Sequence, residues 1–163
     1  MSAFRVRPAA VSDGAFLAEM VVEAANWQLE GVRPKHEVIA SPEYRRYLAG
    51  WMRPGDAGFL ALDEFAEPIG AAWYRTLPRS DPGFGYVGIG IPELIIGVRP
   101  IWRARGVGRT LIREVSEHAR GAGYRLISLS VQRGNHAATL YRAEGFSVTE
   151  SGTVRDIMVK RLG

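Results

Sequence analysis

The chain has 163 residues, 47% of them hydrophobic and 23% charged, the composition of an ordinary globular domain with length enough for one self-sufficient core. It contains no cysteine, which excludes disulfides, thiolate metal ligands and cysteine nucleophiles. The formal charge is +4 and the sequence pI about 9.8, but the arginines behind that excess are spread from Arg5 to Arg161, so no dense basic run argues for nucleic acid. His36, His118 and His136 lack metal-ligand spacing. No apolar run approaches the ~20 residues that span a bilayer, and the first residues hold no apolar signal core. The expectation is one domain over residues 1–163, cytoplasmic, with no metal, no membrane and no nucleic-acid partner.

Taken in order, residues 4–7 alternate apolar and charged side chains and read as a first strand, ended by Pro8. Ser12 or Asp13 can cap a helix running to about Ala25, with Phe16, Leu17, Met20 and Val21 on its apolar face. Residues 26–40, with Gly31 and Pro34, read as irregular. Ser41, Pro42 and Glu43 form an N-cap, an N1 proline and a first-turn acid. Tyr44, Tyr47, Leu48 and Trp51 then mark a second helix, closed by Pro54-Gly55. Residues 58–62 and 69–74 read as a strand pair joined by a hairpin loop. Residues 78–92 form a long loop with four glycines, at 83, 85, 88 and 90. Loops of that length inside a compact domain are often functional.

Residues 93–98 are a short, largely apolar, β-branched run, as in a central strand. Pro100 interrupts it. From Val107 the apolar positions Leu111, Ile112, Val115 and Ala119 recur at helical spacing, and Gly121 and Gly123 stop the helix. Residues 124–131 read as a further strand, Asn135 as the cap of a helix through about Glu144, and Gly145 as its stop. Residues 146–149 and 154–159 make a last strand pair. The order β-α-α-β-β-β-α-β-α-β-β argues for one mixed α/β, α+β-like layer structure.

The turn between the central strand and the long helix has the makings of an anion site. Gly106 and Gly108 let the backbone approach a ligand. The first amides of the helix have no intrahelical acceptor, and the helix dipole adds positive potential there. Arg103, Arg105 and Arg109 bracket the glycines and can add charge-assisted contacts. A plain strand-to-helix turn with solvated arginines is the competing reading. The Walker pattern is absent, and Thr110-Leu111 stand where a dinucleotide fingerprint needs its third glycine.

What does fit is R-x-x-G-x-G after a strand ending V-x-P: Val98-Arg99-Pro100, then Arg103-Ala104-Arg105-Gly106-Val107-Gly108. This resembles the coenzyme A-binding motif of the GNAT N-acetyltransferase superfamily, with Ala104 where the family often has glycine. A second match lies downstream: Asn135-His136-Ala137-Ala138, then Leu140-Tyr141, then Gly145-Phe146. Together the motifs cover residues 93–146. The first 90 residues match only in element order, and there the family generally builds its acceptor site.

The resemblance implies the GNAT fold, a single central mixed sheet, splayed and flanked by helices. It implies acetyl-coenzyme A as co-substrate in the cleft where the strands ending near Val98 and Val131 part. Its pantetheine arm would pair with the backbone of Ile96, Gly97 and Val98. Its pyrophosphate would meet the amides of Arg103, Ala104, Arg105, Gly106, Val107, Gly108, Arg109 and Thr110. Asn135 would contact the pantetheine region, cap its helix, or do both. Tyr141 is the candidate general acid, a phenol protonated at neutral pH; packing on an amphipathic helix is its plainer role. Glu93 is the candidate general base, with a solvated strand-edge charge as the alternative. Asp81 and Tyr86 in the glycine-rich loop are further candidates. His118 reads as a surface residue and His136 as a solvated neighbour of the cofactor. Trp27, Trp51, Trp73 and Tyr74 serve either the core or an aromatic wall for the acceptor. The expected reaction is direct attack of a primary amine, of a small molecule or a protein, on the thioester. A non-catalytic acyl-coenzyme A sensor on the same fold is the alternative. The acceptor and the acyl group stay open. Homodimerisation accords with the resemblance, though no sequence feature fixes it.

Overall fold

The computed structural model describes residues 3–28 and 31–163. Positions 29 and 30, part of the stretch expected to be irregular, lie outside the described residues. The strands are β1 (Arg5–Pro8), β2 (Ala57–Leu62), β3 (Pro68–Arg75), β4 (Glu93–Val98), β5 (Leu126–Gln132), β6 (Phe146–Ser151) and β7 (Arg155–Arg161). The helices are α1 (Gly14–Ala25), α2 (Lys35–Ala40), α3 (Pro42–Arg45), α4 (Val107–Gly121) and α5 (Ala137–Ala143). One seven-stranded sheet runs in the order β1-β2-β3-β4-β5-β7-β6. Every neighbouring pair is antiparallel except β4 and β5. That parallel pair meets at Glu93 and Ser128 alone. Beyond that point the two strands part, giving the mixed, splayed sheet that the sequence leads one to expect.

Period-two alternation in the strands sorts side chains to the two faces. Leu60, Ala71, Trp73 and Ile95 pack against Leu17, Met20 and Val21 of α1, with Val38, Tyr44 and Tyr47. On the other face Ala72, Tyr74, Leu94, Ile127 and Leu129 pack against the stripe Val107, Leu111, Ile112, Val115 and Ala119 of α4. Those five α4 residues are wholly buried, each contributing about 1.5–3 kcal/mol for the larger side chains. α1 lies directly on β4 because Gly97 has no side chain: a Cβ there would come within 2.6 Å of the Met20 carbonyl oxygen.

Two expectations are corrected on the α1 side of the chain. Residues 35–40 form α2, inside the stretch read as irregular. Only Val38 is buried in it, so six residues carry too little periodicity to announce a helix. The helix expected through Trp51 is a single turn, α3, followed by turns. The carbonyls of Arg46 and Ala49, which a continuing helix would use, instead accept from the Arg75 guanidinium at 2.9 Å each. Capping differs as well. Asp13 gives its carboxylate to Arg7 and the Ala10 amide and makes no side-chain cap on α1. Asn135 Oδ1 does accept from the Ala137 amide at 2.9 Å.

Candidate active site in the splay of the sheet

A cavity of about 750 Å3 occupies the splay between β4 and β5, the size range of a cofactor cleft. β4 pairs with β3 along its whole length, Gly70 to Val98 through Arg75 to Glu93. On its other edge, pairing with β5 ends at Glu93. The backbone groups from Ile95 to Val98 on that edge therefore face the cavity, a template for an extended ligand to add as a strand.

Among the residues singled out by sequence, Glu93, Ile96, Gly97, Val98, Arg103, Ala104, Gly106, Gly108, Arg109, Asn135 and Tyr141 line this cavity. Arg105, Val107 and Thr110 do not. Val107 is fully buried in the core, Thr110 donates its hydroxyl to the Gly106 carbonyl at 2.9 Å, and the Arg105 guanidinium lies 5.3 Å from the Trp102 ring centroid. The turn before α4 takes the left-handed region twice, at Ala104 (φ 59°) and Gly106 (φ 87°). This folds the chain so that the free first amides of α4 are presented together. Gly106 is there for its φ. Gly108 is there for space, since a Cβ would press on Leu140 Cδ2 at 3.1 Å. Arg103 pairs with Glu23 at 3.3 Å and Arg109 with Glu144 at 3.3 Å. Both stand half-exposed at the rim.

At the opposite end of the cavity sits Glu93, 4% exposed. Its Oε2 accepts from the Tyr47 hydroxyl at 2.5 Å and the Gly85 amide at 3.1 Å. Its Oε1 is buried with no hydrogen-bond partner among the described residues. Burial pushes the Glu93 carboxyl above the usual range, opposed by the Tyr47 and Gly85 hydrogen bonds and by Arg46 and Arg155. Directly opposite Glu93 in the register is Arg75, an obvious partner on paper. Arg75 instead binds both oxygens of Asp56, at 3.2 and 2.5 Å, which leaves Glu93 without an ion pair among the described residues.

Tyr47 is what sequence reading missed at this end, along with Phe84 and Arg155. Its carbonyl accepts from the Trp73 indole at 3.0 Å, and Arg75 grips the carbonyls on either side of it. A tyrosine read as one helix-face residue among several is thus aimed at Glu93 by contacts 26 to 46 residues away. Its hydroxyl also accepts from the Phe84 amide at 2.8 Å, which ties down the glycine-rich loop. Gly83 and Gly85 make that tie feasible. A Cβ on Gly83 would collide with the Glu93 carboxyl, and one on Gly85 would lie 2.7 Å from the Leu129 carbonyl carbon of β5.

Tyr141 is buried, and burial pushes its hydroxyl up to about 12. Its hydroxyl makes no hydrogen bond among the described residues. Of the other candidates, Asp81 is largely exposed and 3.8 Å from Arg46, while the Tyr86 hydroxyl is buried without a partner among the described residues. Trp73 and Tyr74 belong to the core. The Trp51 indole donates to the Ala10 carbonyl away from the cavity. Trp27 alone of the four lines the cavity, and its indole donates to Gln132 Oε1 at 2.6 Å. His118 is exposed and bonded to the Tyr74 hydroxyl at 2.9 Å. His136 lines the cavity near Asn135. Among the described residues no cluster of metal-ligating side chains occurs, and no helix is long and apolar enough to cross a membrane.

Comparison with known proteins agrees with this geometry. The family model described as Acetyltransferase (GNAT) family matches residues 19–146. The chain belongs to the GNAT acetyltransferase family. The mycothiol acetyltransferase of Cellulomonas flavigena is 32% identical over 119 residues, 71% of this chain and 34% of that protein. The N-alpha-acetyltransferase RimI of Mycobacterium tuberculosis is 46% identical over 52 residues, 31% of each. The chain thus spans about a third of the length of the curated relatives it matches. Among solved GNAT structures, the PaiA N-acetyltransferase of Thermoplasma acidophilum, in complex with coenzyme A, superposes with a TM-score of 0.72 at 19% identity. That match covers 98% of this chain and 99% of that one. At such identity it is the GNAT fold that is shared.

Proposed function

We propose that this chain transfers an acetyl group from acetyl-coenzyme A to a primary amine by direct attack, with no covalent intermediate on the protein. The observation that carries this reading is one cavity lined at once by a buried carboxylate with a raised pKa and no ion-pair partner among the described residues, and by a phenol whose hydroxyl makes no hydrogen bond among them. The relatives named mycothiol acetyltransferase and N-alpha-acetyltransferase support acetyl transfer as the activity.

The donor group fits the chain's own features. The open edge of β4 from Ile96 to Val98 can pair with a pantetheine arm. The paired left-handed positions at Ala104 and Gly106, with the free amides of α4, can hold a pyrophosphate. Asn135 faces the same cavity. What acetyl-coenzyme A supplies there is an activated thioester.

Glu93 draws the proton from the incoming ammonium, since only a neutral amine attacks a thioester. Its raised pKa gives it an affinity for protons that an ordinary surface carboxylate lacks. Because Glu93 lies beneath the 78–92 loop, the proton reaches it through a bridging water or the Tyr47 hydroxyl. Tyr141, held protonated by burial throughout the physiological range, donates to the departing sulfur. The backbone amides near Val98 can polarise the carbonyl. A sensor that only bound acyl-coenzyme A would need neither Glu93 nor Tyr141 in the cavity, so their joint presence favours an enzyme.

The test is calorimetric titration of the purified protein with acetyl-coenzyme A, desulfo-coenzyme A and ATP, followed by free-thiol detection over a library of amines. The expected result is submillimolar binding of both coenzyme A compounds, well above ATP, and thiol release with at least one amine. Absence of coenzyme A binding at submillimolar concentration would sink the reading.

A further inference from the structure

The acceptor end of the cavity carries an arginine that the acetyl-transfer reading does not use. Arg155 opens β7, paired in register with Gln132 at the end of β5, and lines the cavity. Its guanidinium carbon sits over the Phe84 ring, 3.6 Å from the centroid, so the group is held against an aromatic face. Among the described residues its guanidinium makes one hydrogen bond, a long one, 3.4 Å to the Tyr44 hydroxyl. Guanidinium has five N–H donors, and no carboxylate lies within ion-pair distance of this one among the described residues.

Acids on adjoining segments each have a different arginine within ion-pair range. Asp156, the next residue, has Arg133 at 3.3 Å, an ion-pair contact without hydrogen-bond geometry that leaves its buried Oδ1 without a hydrogen bond among the described residues. Asp81 faces Arg46 at 3.8 Å and Glu43 faces Arg33 at 3.6 Å. Glu93 is close enough to feel the Arg155 charge, but both donors to its Oε2 come from Tyr47 and Gly85. A half-buried, pre-oriented guanidinium with free donors is the arrangement that receives a planar oxyanion through paired hydrogen bonds. Glu93, the group suited to an amine, lines the same wall. Beside them on the cavity lining, the Trp27 indole donates to Gln132 and ties the segment after α1 to β5. Glu93 is 4% exposed at this end, a depth that a small molecule reaches more readily than a polypeptide.

We propose that the acceptor is a small amine that also carries a carboxylate, an amino-acid-like molecule whose anion docks on Arg155 while its amine faces Glu93. This rests on the acetyl-transfer reading and specifies its substrate class. The experiment compares matched acceptors: amino acids of several lengths, the amide of each, the decarboxylated amine of each, and short peptides with a free N-terminus. Thiol release gives kcat and KM. Calorimetry of the same amino acids into coenzyme A-loaded protein gives binding without turnover, and calorimetry of acetyl-coenzyme A serves as the control.

The expected result is a kcat/KM at least about tenfold higher for the carboxylate-bearing member of a pair, the scale of one charge-assisted contact. Arg155→Gln abolishes that preference by raising KM for the amino acid and erases its calorimetric signal, while acetyl-coenzyme A affinity stays within about twofold. Arg155→Lys, which keeps the charge and loses the fork, restores part of both. Amides or peptides used as well as the amino acids, or no amino acid used by protein that binds acetyl-coenzyme A, would overturn the inference and leave acetyl transfer standing. Failure to bind acetyl-coenzyme A would instead overturn acetyl transfer and this inference with it.

Discussion

Ala104 holds a left-handed backbone, φ 59°, in the turn that presents the α4 amides. A Cβ in that region costs roughly 1–2 kcal/mol, partly offset by the lower chain entropy of alanine in the unfolded state. Ala104→Gly should therefore raise stability by up to about 1 kcal/mol and leave coenzyme A affinity intact, read by thermal melting and calorimetry. A drop in melting temperature would show that alanine is relaxed there.

Glu93 gives the pH predictions. Burial raises its folded-state pKa, while the unfolded carboxyl titrates near its ordinary value of about 4.3. Above that value the folded state binds a proton that the unfolded state has released, so stability falls as pH rises through the folded pKa. Glu93→Gln should melt above wild type at pH 8, with the gap closing toward pH 4. The same variant should lose about a hundredfold or more in kcat and flatten the acid limb of the pH–rate profile. Tyr47→Phe removes a donor that lowers the Glu93 pKa, so its acid limb should move to higher pH with Glu93 still present. An unmoved limb would separate Tyr47 from the base.

At the scale of elements, the loop 78–92 acts as a wedge. Gly85 touches the β5 backbone at Leu129 and Ser130 and donates to a β4 carboxylate, at the level where the two strands part. Gly85→Ala puts a Cβ against strand backbone that cannot yield cheaply. The loop should lift, with a loss of stability on the order of 1–3 kcal/mol. Faster amide exchange at Phe84 and Gly85 should accompany it. Unchanged melting and exchange would mean that the loop is not seated as described. The four glycines of this loop stand out in the sequence, but composition alone gives no reason for any one of them. Two are explained by close approach, Gly83 to Glu93 and Gly85 to β5, and Gly90 by its φ of 78°.

At the scale of the molecule, the buried pair Arg75–Asp56 joins the sheet to the segment after α3. Arg75 is wholly buried and Asp56 nearly so. All three guanidinium nitrogens are engaged, two by Asp56 and the third by two main-chain carbonyls. Removing one partner of such a pair typically costs 3–5 kcal/mol, because the other is left buried and charged. Arg75→Met should lower stability by about that amount and also loosen Tyr47, so that kcat falls further than the melting temperature alone would require. Chemical denaturation and kinetics at a temperature where the variant stays folded would separate the two effects.

The sequence by itself determined what depends on local periodicity and short-range turn chemistry. The strand at residues 93–98, the start of α4 at Val107 and its buried stripe are local patterns of alternation and 3.6-residue spacing, and the structure has them there. The two motifs within residues 93–146 carried the family, because a glycine turn and a capped helix are recognised by neighbours a few residues apart. The tertiary structure alone decided the end of the cavity at Glu93. Tyr47, Phe84 and Arg155 reach the wall of Glu93 from α3's trailing turn, the glycine loop and β7, across gaps in sequence that no periodicity spans. It also decided the partners of two arginines, Arg75 and Arg155, that look alike in the chain. Only packing sends one to Asp56 and sets the other over Phe84 in the cavity lining.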